Sequence, residues 1–139
     1  MTIETSAAMM PGRDELAGLY DAVGWAAYTR DLDTLEQAVR GSAHVVTARR
    51  GGRLVGLARV VSDGATIAYL QDVLVHPEEQ GGGLGTRLVT EVMAPFEHVR
   101  QKVLLTDDEP GQRAFYESLG FAEVRDLDDG SLRAFVRFD

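Results

Sequence analysis

The sequence predicts a mixed α/β (α+β) domain built around one sheet. Three observations carry this. Apolar residues recur at helical spacing over residues 13–23 and 32–39 and again over 84–96 and 112–119. Between them, residues 44–75 are rich in β-branched and aliphatic side chains broken by short glycine turns. A run of glycines then stands between the last of these strands and the next helix. The order is helices, antiparallel strands, helix, strand, helix, strands, which is the signature of an α/β layer fold.

The elements follow in turn. Residues 2–5 suit a short first strand. Leu16, Leu19, Tyr20 and Val23 fall at i, i+3, i+4 and i+7, so residues 13–23 read as an amphipathic helix. Leu32, Leu35 and Val39 mark a second helix, with Asp31 or Asp33 as its N-cap and Gly41 as its stop. Gly24-Trp25-Ala26-Ala27-Tyr28 is the loop between them. Residues 44–49 and 53–61 form a hairpin about Arg50-Gly51-Gly52, and Ser62-Asp63-Gly64-Ala65 is the next turn. Residues 66–75 are one long strand. Leu84, Leu88, Val92 and Phe96 share a helix face that ends or kinks near Pro95. Residues 102–105 read as a buried strand. Gln112, Phe115, Tyr116 and Leu119 share the face of a last helix, stopped by Gly120. Residues 121–125 and 132–138 are expected to close the fold as a hairpin across Asp128-Asp129-Gly130.

At 139 residues the chain is expected to be a single domain over 1–139 with one sizeable core. Apolar residues make up 45% and charged residues 26%, as in ordinary globular proteins. No apolar run reaches the roughly 18 residues that span a bilayer, and no leader with a basic start and apolar core is visible, so no membrane association is expected. Cysteine is absent, which excludes disulfides, cysteine nucleophiles and thiolate metal sites and fits a cytoplasmic location. No His/Asp/Glu cluster has metal-ligand spacing, so no metal is expected. The net charge is −8, with acids outnumbering bases seven to three over residues 1–40 and nine to four over 107–139. Residues 41–106 are near neutral, with six acids and seven bases. An acidic chain is a poor nucleic-acid binder, because phosphate contacts need Lys and Arg.

The glycine run sits where an anion can be held. Val73, Leu74 and Val75 end a strand, and Gln80-Gly81-Gly82-Gly83-Leu84-Gly85-Thr86 leads into a helix. A helix N-terminus offers backbone N–H groups without intrahelical partners and a positive dipole end. Glycines let a phosphate approach the main chain. A P-loop fails, because no lysine follows the glycines. A dinucleotide fingerprint fails, because Thr86 or Leu88 stands where its last glycine belongs.

The pattern Gln/Arg-x-x-Gly-x-Gly/Ala does match, at Gln80 to Gly85. It resembles the acetyl-CoA pyrophosphate loop of the GNAT superfamily of N-acetyltransferases. Phe115-Tyr116-Glu117-Ser118-Leu119-Gly120-Phe121 resembles the Phe-Tyr-x-x-x-Gly-Phe ending of the same superfamily. The resemblance runs from about residue 45 to the C-terminus. It implies the GNAT fold, with splayed central strands flanked by about four helices and the cofactor in the gap. It also implies acetyl transfer from acetyl-CoA to an amine in a ternary complex. The thioester arrives activated, so no protein nucleophile is needed.

The same resemblance assigns roles. The backbone of Gly81, Gly82, Gly83, Leu84, Gly85 and Thr86, with Gln80, cradles the pyrophosphate; the Gln80 side chain either touches it or braces the loop. The pantetheine arm pairs with Val73, Leu74 and Val75, and a backbone N–H near Leu74 or Val75 polarises the thioester carbonyl. Tyr116 is the candidate general acid for the leaving thiolate; its alternative is packing on the sheet. Glu109 and Gln112 stand where the family commonly has Asn and Ala, which removes a pantetheine contact. Asp72 is the candidate general base, with an ordering role for the splayed strands as the alternative. A water relay is a third route. His76, before Pro77, reads as a turn residue.

Three blocks also resemble the plastid-type GNAT branch, which includes serotonin or arylalkylamine N-acetyltransferases and protein lysine acetyltransferases. They are residues 19–25, 56–64 and 72–75. Trp25 and Tyr28 lie in the loop that borders the acceptor pocket in such domains, and their aromatic bodies suit a small arylalkyl amine. A core role for Trp25 is the competing reading. Protein lysine or N-terminal acetylation, or acetyl-CoA sensing without catalysis, are the alternative functions. GNAT domains are frequently homodimers, and a homodimer is expected here.

Overall fold

The β-rich runs pair in chain order. Ile3–Ser6 (β1), His44–Arg50 (β2), Arg53–Ser62 (β3) and Ile67–Val75 (β4) are successive antiparallel neighbours. Gln101–Leu104 (β5) joins β4 in parallel. The computed structural model describes residues 2–139, and Met1, first residue of the expected domain, lies outside the described residues. The described residues up to Leu105 form one compact unit, and Thr106–Asp139 form another.

One face of the sheet carries Arg13–Ala22 (α1), Ala26–Thr29 (α2) and Leu32–Arg40 (α3). The stripes read from the sequence face the core, with Val23 and Leu32 half-buried against it. Leu16, Leu19 and Tyr20 of α1 and Leu35 and Val39 of α3 join Val45, Leu54, Leu57 and Leu74 in one core. Of the two N-cap candidates, Asp31 takes the role, accepting from Thr34 N at 3.2 Å. Asp33 instead pairs with Arg13. The expected loop at 24–28 holds the additional short helix α2. Among the described residues this gives five α-helices rather than about four. None of them is long and apolar enough to cross a membrane.

Leu84–Met93 (α4) crosses β2, β3 and β4 and buries Leu84, Leu88, Val89 and Val92. It ends in a 3-10 turn at Ala94–Phe96, where Pro95 cannot continue the ladder. Gly56 makes its approach possible. Gly56 follows Val55 and precedes Leu57 on β3, and a Cβ there would stand 3.0 Å from Leu88 Cδ1 and 3.2 Å from both Ala48 Cβ and Leu74 O. Two of those neighbours are a strand Cβ and a backbone carbonyl, which cannot yield. Gly56→Ala is therefore expected to destabilise the protein by about 1–3 kcal/mol, the usual cost of overpacking. Thermal melting checks it, and an unchanged midpoint would show that α4 can retreat without cost.

β4 is the element that builds the site. Its register against β3 slips by one residue: Arg59 opposes Asp72, but Val60 opposes Leu70. Gln71 is the extra residue of a β-bulge. Cross-strand partners share a face and neighbours alternate. Leu70 therefore lies on the face opposite Asp72 and Leu74, although all three are buried. Pairing with β5 covers only residues 67–70 of β4. From Gln71 to Val75 its outer edge has no β5 partner, so the two parallel strands fork there. β5, expected to be buried, has half-buried side chains at Lys102, Val103 and Leu104, since it is the last strand of the sheet.

In the second unit Gln112–Ser118 (α5) forms as expected, and Gly120 follows it at φ 93°. The expected strands 121–125 and 132–138 do not form. Residues 121–126 are drawn back onto α5 instead. Phe121 N donates to Tyr116 O at 3.0 Å. Arg113 grips Glu123 at 2.9 Å and Asp126 at 2.5 Å, and Val124–Asp126 is a 3-10 turn. The 127–130 turn exists, with Gly130 N on Leu127 O at 2.7 Å. Residues 132–138 have strand-like composition but no paired strand. Propensity supplies no hydrogen-bonding partner, and Phe135 and Phe138 stand 93% and 90% exposed.

Candidate functional site

The glycine loop is open ground. Gly81 and Gly83 adopt φ of 85° and 83°, a left-handed conformation that favours glycine. A Cβ built on either would meet nothing within 4 Å. Gly83 caps α4 without any side-chain hydrogen bond. The N–H groups of Leu84, Gly85 and Thr86 thus lack intrahelical acceptors at the positive end of a ten-residue helix. Leu84 itself is buried and anchors the helix, while the three preceding glycines and Thr86 are exposed.

Gln80 settles into one of its two expected positions. Its Nε2 donates to Val75 O at 3.3 Å, bracing the loop against the end of β4. A 3-10 turn, Pro77–Glu79, precedes it. His76 caps that turn, its Nδ1 accepting from Glu78 N at 3.1 Å, so its role is turn geometry as expected. Arg50 holds Glu79 bidentately, Nε and the terminal nitrogen each at 2.8 Å. That pairing keeps the Glu79 carboxyl below its usual range. The β2–β3 hairpin therefore fixes where the loop begins.

The forked edge of β4 continues straight into this loop. His76 N donates to Val55 O at 2.8 Å, which makes 76 and 55 a hydrogen-bonded antiparallel pair. Such pairs alternate along a ladder. Leu74 opposite Leu57 is therefore turned toward β3, whereas Val73 and Val75 turn their main-chain groups to the open edge. This corrects the expectation for Leu74. Its N–H is spent in the sheet and its side chain is 1% exposed in the core, so it offers nothing to the fork. With Val75 O taken by Gln80, the open edge presents the N–H of Val73, the carbonyl of Val73 and the N–H of Val75.

Beside the fork lies a buried polar hub. Asp72 is 2% exposed. Its Oδ2 accepts from Tyr20 OH at 2.9 Å and from Arg59 Nε at 2.5 Å, and its Oδ1 accepts from Tyr28 OH at 3.0 Å. Arg59 is itself buried and reaches on to Ser42 Oγ at 3.3 Å and Ala38 O at 3.4 Å, at the end of α3. Burial opposes the Arg59 charge, but the Asp72 carboxylate outweighs it and raises the guanidinium pKa. Burial first, and then the Asp72 charge, push both phenols above their ordinary range, so Tyr20 and Tyr28 remain proton donors. Among the described residues no buried side-chain nitrogen or oxygen lacks a partner.

The aromatic pair expected at the acceptor side is drawn into this hub. Trp25 and Tyr28 are half-buried against the α1–α3 core. The Trp25 ring lies 6.1 Å from those of Tyr20 and Tyr28, and Tyr28 also receives Gln71 Nε2 at 3.1 Å. Tyr20, Arg59 and Gln71 were not singled out from sequence. Arg59 had a signal: it is the lone charge inside the apolar run 54–61, as Asp72 is in 67–75. Two lone opposite charges in neighbouring buried strands satisfy each other.

In the second unit Tyr116 is half-buried between Phe115, 4.9 Å between ring centres, and Phe121, 6.1 Å. Its hydroxyl has no hydrogen-bond partner among the described residues, and since none of them hides an unpaired polar atom, it reaches the surface of the unit. Burial, and then the charge of Asp107, raise its pKa above that of a free phenol.

Comparison with known proteins agrees with this geometry. The acetyltransferase (GNAT) domain family matches residues 16–130. The uncharacterized N-acetyltransferase ycf52 of Pyropia yezoensis is 31% identical over 118 residues, covering 82% of this chain and 66% of that protein. The histone acetyltransferase TAP1 of Glycine max is 33% identical over 120 residues, covering 77% and 50%. The chain thus spans half to two thirds of the length of these relatives. The solved structure of the GNAT-family acetyltransferase SP0256 from Streptococcus pneumoniae superposes with a TM-score of 0.85 at 28% identity, over 99% of this chain and 98% of that one. A glycine loop opening α4, a fork between β4 and β5, and a family match across most of the sequence converge, and the chain belongs to the GNAT acetyltransferase family.

Proposed function

We propose that this chain moves the acetyl group of acetyl-CoA to a primary amine by direct attack in a ternary complex. The observation that carries the reading is the open edge of β4 running into an uncapped, Cβ-free helix start. The two halves of this track fit the two halves of CoA. The free N–H groups at α4 suit a pyrophosphate. The alternating donors and acceptor at Val73 and Val75 suit the amides of a pantetheine arm lying as an added strand. Acetyl-CoA, when bound, supplies an activated thioester.

The roles of the chain's own residues follow. The Gly81 to Thr86 backbone holds the diphosphate, with Gln80 bracing it from behind. The N–H of Val73 or Val75 is the donor for the thioester carbonyl. Tyr116 is the general acid, on its motif, its raised pKa and its partnerless hydroxyl. Deprotonation of the amine goes to a water relay. Asp72 is set aside as the base, because three donors, one of them a buried guanidinium, already occupy its two oxygens.

For the acceptor, Trp25 and Tyr28 favour a small amine with an aromatic body, in keeping with the resemblance to arylalkylamine enzymes. The name of the soybean relative favours a second reading, a lysine on a protein. A thiol-release assay separates them: acetyl-CoA against tryptamine, serotonin, polyamines and lysine peptides. Turnover with arylalkylamines is the expected result, and turnover with peptides alone would select the second reading. Acetyl-CoA is also expected to raise the melting temperature, as any ligand of the native state does. Failure to do so would overturn the reading of the loop. Light scattering tests the homodimer that the resemblance implies.

A further inference from the structure

Gln71 is the extra residue of the β4 bulge, with no cross-strand partner on β3. It is also the first residue of β4 beyond the pairing with β5. Its side chain is not idle. A chain of hydrogen bonds runs from Asp72 Oδ1 to Tyr28 OH at 3.0 Å and from Tyr28 OH to Gln71 Nε2 at 3.1 Å.

Chemistry fixes the direction of this chain. A carboxylate paired with Arg59 can only accept, so the single Tyr28 proton points to Asp72. The phenol oxygen then has only lone pairs left for Gln71. The amide must present its NH2 to Tyr28, which leaves Oε1 facing away from the hub as an acceptor. That oxygen has no hydrogen-bond partner among the described residues, and it is not sealed from solvent, since no buried side-chain oxygen among them goes unpaired. Gln71 is half-buried, so its rotamers are few.

We infer that Gln71 positions the acceptor amine, its Oε1 accepting a hydrogen bond from the amine nitrogen. This rests on the acetyl-transfer reading above and adds a residue that recognises the second substrate. The logic is one of orientation. An amide carbonyl accepts from an ammonium and from the free amine alike, so it can hold the nitrogen before and after the proton leaves. Unlike a carboxylate, it does not take the proton itself. The Asp72 hub serves the site at one remove: it aligns Tyr28, and Tyr28 aligns the amide. Gln71 also precedes Val73 by two residues on the same open stretch of strand, which places the acceptor beside the edge assigned to pantetheine.

The test is steady-state kinetics with tryptamine as the varied amine, on Gln71→Met, which keeps the length of the side chain and deletes only the amide, and on Tyr28→Phe. For Gln71→Met the KM for tryptamine is expected to rise about tenfold, the loss of one hydrogen bond to a charged or polar group. The KM for acetyl-CoA should stay within twofold and the melting temperature within a few degrees. Tyr28→Phe, which frees the amide to flip, should raise the tryptamine KM by a smaller factor. An unchanged tryptamine KM in Gln71→Met overturns the assignment, as does an equal rise in both KM values, which a merely structural role would produce. The parent reading fails separately, if acetyl-CoA does not stabilise the unaltered protein.

Discussion

Tyr116→Phe is expected to lower kcat by about a hundredfold or more while acetyl-CoA still raises the melting temperature by the same amount. General acid catalysis commonly contributes about two to four orders of magnitude. The substitution removes one oxygen and keeps the ring that packs on Phe115 and Phe121. The lost hydroxyl has no partner among the described residues, so its removal orphans nothing and leaves folding alone. The pH profile adds a second readout. Burial and Asp107 hold the phenol above its ordinary value of about 10, so the acid form persists through neutral pH. The tyrosine enzyme should therefore lose kcat only above about pH 10, and the phenylalanine variant should lack that alkaline limb. Turnover within threefold of the unaltered protein would remove Tyr116 from the acid role.

Asp72→Asn is expected to cost stability first. The change is isosteric, yet it leaves the Arg59 guanidinium buried without a counter-charge and turns an amide NH2 toward hydroxyl donors. Breaking a buried pair by removing one partner costs about 3–5 kcal/mol. A protein of this size is stable by about 5–15 kcal/mol in all, so the midpoint of thermal melting should fall by about 10 °C or more. The damage should also be coupled. Arg59→Met in the Asp72→Asn background removes the stranded charge and should recover part of the loss, whereas Arg59→Met alone should destabilise, because it strands the carboxylate. A melting point for Asp72→Asn within 2 °C of the parent would show that the hub does not hold the α1–α3 layer to β4. A base role predicts another pattern, a loss of turnover with the melting point intact.

These outcomes mark where sequence patterns carry information. The glycine loop between strand and helix was legible because its cause is local: glycines, an apolar strand before them and a helical stripe after them. The α1, α3 and α4 stripes were legible for the same reason; Pro95 follows the end of α4 because it has no N–H to continue it, whereas Gly41 marks the end of α3 at a φ of −80° that any residue adopts. The hub was only half legible. Asp72 stood out as a costly acid in an apolar strand, but its partners come from α1, α2 and β3, and periodicity does not reveal which strands adjoin. The bulge at Gln71 was invisible, since strict alternation of buried residues from Ala68 to Leu74 is what an unbroken strand would also show. The C-terminal hairpin was misread because residues 132–138 alternate like a strand without any pairing to complete them.

The bulge has a geometric corollary. Because one surplus residue swaps the faces of everything after it, β4 can contribute Leu70 to one side of the sheet and Asp72 and Leu74 to the other. No residue of β3 opposes the side chain at this position, and its one partner among the described residues is Tyr28 on α2. Without Gln71, Leu70 and Asp72 would be direct neighbours opposite Val60 and Arg59, on the same two faces as now; the hub and the core would keep their register, and what would be lost is the one side chain that the ladder leaves unopposed beside the open edge.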